Sequence, residues 1–211
     1  MLIGLTGMYC AGKNVIASLL EERGLSVLDV DKLGHEAIEN LKETLFERFG
    51  DDIKNSDGSV NRRLLGEKVF GKKSELSALE AIVHPEANRL TEAWVAARKG
   101  NGVINAALLH KSSVFERLDG IILVSAPCLT RLIRAKRRDK LPLGVLVKRL
   151  ASQKQFISQY LAGNADTYKV ENPGIGGYRL SAASVKNRAR LKRRIDAILS
   201  AIGEAIPQGR P

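Results

Sequence analysis

Gly7-Met8-Tyr9-Cys10-Ala11-Gly12-Lys13-Asn14 follows an apolar run, Leu2 to Leu5, and opens directly into a helix-patterned segment. Glycine at both ends lets the backbone turn tightly with no Cβ in the way, so successive N–H groups can converge on an anion. Lys13 adds a mobile positive charge for the outer phosphates of a nucleotide. The helix that follows offers its N-terminal dipole and unpaired amides to the same anion. The stretch therefore predicts a phosphate-binding loop. The competing reading, a glycine turn with an incidental lysine, is weakened by the strand before the loop and the helix after it, which are the context the motif requires. Val15, Ile16, Leu19 and Leu20 are expected to share one helical face turned to the sheet.

Gly, four residues, then Gly-Lys is the Walker A spacing, whose last position wants Ser or Thr, where this chain has Asn14. A hydroxyl is a small, hard Mg²⁺ ligand, whereas Asn offers an amide oxygen on a longer side chain. Asn14 is thus the expected metal-side residue, reaching the ion through water, since Mg²⁺ keeps several waters.

Downstream, Ser26 to Val30 reads as a second strand, entered through Gly24 and ending in Asp29-Val30-Asp31. The carboxyl ends of parallel strands face the ligand crevice of an α/β sheet. On a strand the carboxylates of Asp29 and Asp31 share one side, and one of them is suited to accept a hydroxyl proton or orient a sugar hydroxyl. A helix N-cap at Asp31 is the alternative. Residues 36–49 read as helical, closed by Gly50, and Asn55-Ser56-Asp57-Gly58 as a turn. Arg62 and Arg63 stand where the chain re-enters a helix, placed either to bind an anionic substrate or to sit in solvent. A helical region from Ser74 to Lys99 is expected to bend or restart at His84-Pro85, because proline removes a backbone donor.

Gly102 to Leu109 and Ile121 to Ser125 read as buried parallel strands, with Asn105 able to carry a polar group toward the phosphates. Residues 130–154 are dense in positive charge, from Arg131 to Lys154. Arg134 and Arg138 share a helical face there, and guanidinium grips two phosphate oxygens at once. Thr167 to Glu171 is the expected last strand, with Asn172-Pro173-Gly174 at its carboxyl end. The final helix is expected to turn Val185, Leu191, Ile195, Ile198, Leu199 and Ile202 to the core. Strand and helix alternate throughout, which predicts an α/β fold with a parallel sheet.

At 211 residues and 44% hydrophobic, the chain can bury one good core, and a single main domain is expected. It has no apolar run of membrane-spanning length, and Met1-Leu2-Ile3-Gly4 is strand-like, so a soluble cytoplasmic protein is expected. Two cysteines, Cys10 and Cys128, make neither a disulfide framework nor a metal site. A formal charge of +11 suggests a polyanionic partner, while 5% aromatic residues argues against a single-strand binder built on stacking platforms.

Taken in order, these features resemble dephospho-CoA kinase over nearly the whole chain. Gly4-Leu5-Thr6-Gly7 and Ala11-Gly12-Lys13 match its nucleotide loop, and Val27-Leu28-Asp29-Val30-Asp31 its Asp-Ala-Asp strand end. Asp57-Gly58, Asn61-Arg62, Leu65 and Val69-Phe70 look like its substrate-side helix. His84-Pro85 repeats a family dipeptide, and Leu108-Leu109 stands for its Pro-Leu-Leu core. Arg134, Arg138-Asp139 and Gln153 are similar to its lid, and Ala165-Asp166, Asn172 and Gly174 to its closing strand and adenine-side loop.

The resemblance implies a three-layer P-loop kinase fold with a central parallel sheet of about five strands, a helical substrate-side insertion at about 36–100 and a basic lid at about 134–163. It implies transfer of the ATP γ-phosphate to the ribose 3′-hydroxyl of dephospho-CoA with Mg²⁺. Lys13, Asp31 and Arg138 would be catalytic. Gly7, Cys10, Ala11, Gly12, Lys13, Asn14, Val15, Arg134 and Asn172 would bind ATP. Asp31, Arg62, His84 and Leu108 would face the acceptor. Asn14, Asn105, Ala107 and Lys111 depart from the family pattern. They motivate a second reading, a catalytically weakened nucleotide-binding protein with a regulatory role. A nucleic-acid-associated P-loop protein is a third, suggested by charge alone.

Overall fold

A computed structural model describes residues 1–153, 160, 166–174 and 182–205. Within it the chain divides into two compact units, residues 1–28 with 98–211, and residues 29–97.

The first unit is built on β1 (Leu2–Gly7), whose residues Leu2 to Thr6 are all buried, as a strand covered on both faces requires. With β2 (Ser26–Asp29), β3 (Gly102–Asn105), β4 (Gly120–Ser125) and β5 (Thr167–Glu171) it forms a five-stranded parallel sheet in the order β2-β3-β1-β4-β5. Leu5 lies opposite Asn105 on one side and Ile122 on the other. Chain order reverses about β1, since β2 lies beyond β3 on one side and β4 and β5 lie on the other. The loop after β1 therefore sits at the switch point of the sheet, where its carboxyl edge opens a crevice.

Helix α1 (Lys13–Glu21) buries Ile16, Ala17, Leu19 and Leu20 against the sheet. Val15 is corrected: it is 42% exposed, because the buried arc centres on Ile16 and Leu20 and leaves Val15 at its rim. The last helix described covers the same sheet face with Leu191, Ile195, Ile198 and Ile202, and Leu199 is partly buried against them. Val185 is exposed, six residues before the apolar stripe begins at Leu191.

On the other sheet face, a Cβ on Gly4 would meet Leu109 Cδ2 at 2.5 Å and Leu118 Cδ1 at 2.8 Å. This explains a second correction. The run from Gly102 to Leu109 leaves the sheet after Asn105, and two 3₁₀ turns, Leu109–Lys111 and Phe115–Arg117, then carry Leu109, Val114 and Leu118 into the core. A continuous apolar run looks the same whether it pairs within a sheet or packs beneath one.

The second unit is helical. Its α2 (Val30–Asn40), α3 (Lys42–Phe49), α4 (Arg62–Val69) and α5 (Lys73–Ala97) enclose Ala37, Leu45, Phe46, Phe49, Ile53, Leu65, Val69 and Val83. Gly50, at φ 93°, closes α3, and Asn61 caps α4 by accepting from the Leu64 amide at 3.1 Å. The helix does not restart at His84-Pro85, and α5 runs through Pro85 for 25 residues. One missing N–H removes a single bond to the carbonyl four residues back, which the packing of α5 on α2 and α4 outweighs.

Helices α6 (Cys128–Asp139) and α7 (Leu143–Ala151) belong to the first unit, and the last helix, α8, spans Ala182–Ala205. Of the expected lid at about 134–163, positions 154–159 and 161–163 lie outside the described residues, as do 164 and 165, and with them Lys154 and Ala165. No helix among the described residues is long and apolar enough to cross a membrane.

Candidate active site

The loop after β1 is shaped from both ends. Met8 N–H donates to the Val124 carbonyl at 3.0 Å, and Ala11 N–H donates back to Met8 at 2.9 Å. Cys10 takes φ 58° and Gly12 φ 93°, both in the left-handed region. The Cys10 and Ala11 carbonyls accept from Arg134 Nη1 at 3.1 and 2.9 Å, and Asn172 Nδ2 also donates to Ala11 at 3.1 Å. Arg134 Nη2 donates to the Asn172 carbonyl at 3.0 Å and to that of Gly174. One guanidinium thus ties the loop after β1 to the loop after β5. With its carbonyls engaged on that side, the loop leads into the amino end of α1, whose dipole favours an anion. Gly12 is required twice over, by its φ and because a Cβ there would lie 2.4 Å from Asn172 Nδ2.

Electrostatics follow this packing. Burial pulls the Arg134 guanidinium below its ordinary pKa and pushes the Cys10 thiol up. The Arg138 guanidinium beside Asp139 holds that carboxyl below the usual carboxylate range, and Asp139 in turn raises Arg138. Burial, reinforced by Asp139, raises the Tyr9 phenol.

Several buried polar atoms at the carboxyl edge of the sheet have hydrogen-bonding capacity to spare. Asn105 Oδ1 ends β3, Ser125 Oγ ends β4, and Arg131 Nε and Nη1 lie on α6; none of them has a partner among the described residues. Arg131 is only 6% exposed. Buried polar groups are ordinarily paired, so such atoms call for an explanation at the site.

In the helical unit, Asp29 is the N-cap of α2, its carboxylate accepting from the Asp31 amide at 3.2 Å. The strand-end reading is corrected: Asp31 is an exposed first-turn helical residue and does not share a strand face with Asp29. A cavity of about 660 Å³ in this unit is lined by residues that include His35, Glu36, Glu39, Asn61, Arg62 and Arg63.

The sequence profile of the dephospho-CoA kinase family matches residues 1–166. The chain belongs to this family. Among its relatives, the dephospho-CoA kinase of Treponema pallidum is 32% identical over 213 residues, covering 96% of this chain and 95% of the relative. That of Treponema denticola is 34% identical over 184 residues, 82% of each chain. The crystal structure of TT1252 from Thermus thermophilus superposes with a TM-score of 0.73 at 30% identity, covering 95% of this chain and 97% of that one. Membership makes the loop part of a kinase that uses a nucleotide substrate. The comparisons give no support to a non-catalytic regulatory reading.

Seen as a dephospho-CoA kinase, the chain brings Gly7, Cys10, Ala11, Gly12, Arg134 and Asn172 together at the loop. Lys13 heads α1, half-buried, and Asn14 beside it is exposed. Arg134 and Asn172 hold loop carbonyls, with Asn172 3% exposed. Arg62 borders the cavity of the helical unit. His84, half-buried on α5, is not among the cavity residues, and Leu108 is 46% exposed on the loop after β3. Sequence reasoning missed Tyr9. Its ring lies under Arg138, and nothing in Met8-Tyr9-Cys10 signals a contact with residues 138–153.

Proposed function

We propose that this chain transfers the γ-phosphate of ATP to the ribose 3′-hydroxyl of dephospho-CoA, giving CoA and ADP. The observation that carries the proposal is the loop whose Cys10 and Ala11 carbonyls are turned onto Arg134 and Asn172, in a chain of this family. Phosphoryl transfer asks mainly for positioning and charge compensation. Loop amides and Lys13 bind and orient the triphosphate tail, and Arg138 neutralises charge that builds on the transferring group. Asp31 takes or orients the acceptor hydroxyl proton. Arg62 serves the acceptor's anionic groups, with His84 and Leu108 as further acceptor-side residues.

Mg²⁺ fits the oxygen donors at hand. Asn105 Oδ1 is a buried acceptor without a partner, and Asn14 is exposed in the first turn of α1. A hard cation that keeps most of its waters needs only one or two such oxygens. Asn14, through water, and Asn105 would hold it, and it would supply positive charge against the phosphates of the nucleotide.

The test is turnover of ATP, Mg²⁺ and dephospho-CoA by the purified chain, followed as ADP and CoA. Asp31→Asn should lower kcat by about 100-fold or more with ATP affinity nearly intact. ATP binding without CoA formation by the unmodified chain would overturn the proposal in favour of the regulatory reading.

A further inference from the structure

Tyr9 stands between Met8 and Cys10 in the loop, and the family resemblance assigns it no role. Three parts of this residue touch the segment from 138 to 153. Its amide donates to Gln153 Oε1 at 2.6 Å, its phenol donates to Asp139 Oδ2, and its ring centroid lies 5.0 Å from Arg138 Cζ. Asp139 accepts from Arg138 Nε at 2.7 Å and Nη2 at 3.3 Å, and Arg149 Nη1 lies 3.8 Å from the same carboxylate. The guanidinium is therefore fixed by a carboxylate along its edge and an aromatic face beneath it.

We infer that Tyr9 is a positioning residue for Arg138. Its phenol fixes Asp139 and its ring fixes the guanidinium plane, so the arginine already stands beside the phosphate loop when nucleotide arrives. A long arginine side chain loses rotamer freedom when it is immobilised, and a planar charge held between a carboxylate and a ring has lost it beforehand. Two of its five donors go to Asp139, so the charge is oriented without being fully occupied. The inference rests on the role proposed above for Arg138.

The experiment is a kinetic double-mutant cycle on the full chain with Tyr9→Phe, Tyr9→Leu, Arg138→Ala and the Tyr9→Leu/Arg138→Ala double variant. Tyr9→Phe, which keeps the ring, should lower kcat by about 3–5-fold, and Tyr9→Leu by about 10–30-fold, with KM for ATP moving by less than about 3-fold. In the Arg138→Ala background Tyr9→Leu should change kcat by less than about 2-fold. If Arg138→Ala lowers kcat and Tyr9→Leu still multiplies it by its full factor, Tyr9 does not act through Arg138 and the inference fails while the reading of Arg138 stands. If Arg138→Ala leaves kcat unchanged, that reading fails and takes the inference with it. A readout independent of turnover is the Nε–Hε NMR signal of Arg138 in nucleotide-free protein. Tyr9→Leu should remove its ring-current shift and Tyr9→Phe should retain it, and a signal unmoved by Tyr9→Leu overturns the inference.

Discussion

Arg134→Met separates a residue that shapes the loop from one that only meets the ligand. The methionine keeps most of the side-chain stem but removes every bond to the carbonyls of Cys10, Ala11, Asn172 and Gly174. Charge-assisted bonds contribute about 1.5 kcal/mol each at the low end, which would give about 6 kcal/mol for four. The side chain is half-buried, and its own desolvation and solvent screening cut that to about 3 kcal/mol. At this chain length each kcal/mol moves the thermal midpoint by about 2–4 °C, so nucleotide-free Arg134→Met should melt about 6–12 °C below the parent. Thermal unfolding by circular dichroism without nucleotide measures this, and titration calorimetry should show ATP binding about tenfold weaker as the loop relaxes. An unchanged midpoint with weakened ATP binding would refute the reasoning, since a pure ligand contact costs nothing in the free protein.

Gly12→Ala places a methyl at φ 93° and 2.4 Å from Asn172 Nδ2, so it should cost about 2–4 kcal/mol and abolish tight ATP binding; a variant that melts with the parent would refute the close approach. Asn61→Ala removes the cap of α4 and should destabilise the helical unit by about 1 kcal/mol in urea unfolding, with no change in the m-value. Glu86 accepts from Arg89 and from Asn40, which holds its carboxyl down to about 2 against an ordinary value of 4.5. Because the folded pKa is the lower one, the stabilisation is complete above about pH 4.5 and is lost as pH falls toward 2. The parent should therefore melt above Glu86→Gln at pH 6, with the gap closing across that window. A gap that widens on acidification would reverse the assignment.

How much was legible in advance divides along the same physical line in both units. The loop, α1, the caps at Gly50 and the turn at 55–58 depend on residues a few positions apart, and glycine content and apolar period declare them. Asp29 against Asp31 remained open because strand end and helix start use the same residue types, and only the direction of the backbone after Asp29 chooses between them. The overlong third strand failed for want of a sign that Leu109 fills the space above Gly4.

A glycine loop with a lysine after a buried strand, and with it an α/β fold around a phosphate loop, could be read from the chain because those signals are local, and the resemblance to a family added the kinase. Tertiary structure alone decided what the arginines do. Arg134 reaches carbonyls 124 and 38 positions away, and Tyr9 reaches a carboxylate 130 positions away. Charge and spacing mark a guanidinium as an anion binder, but its partner is whatever the fold sets within hydrogen-bond distance, and here that is the main chain of the loop itself.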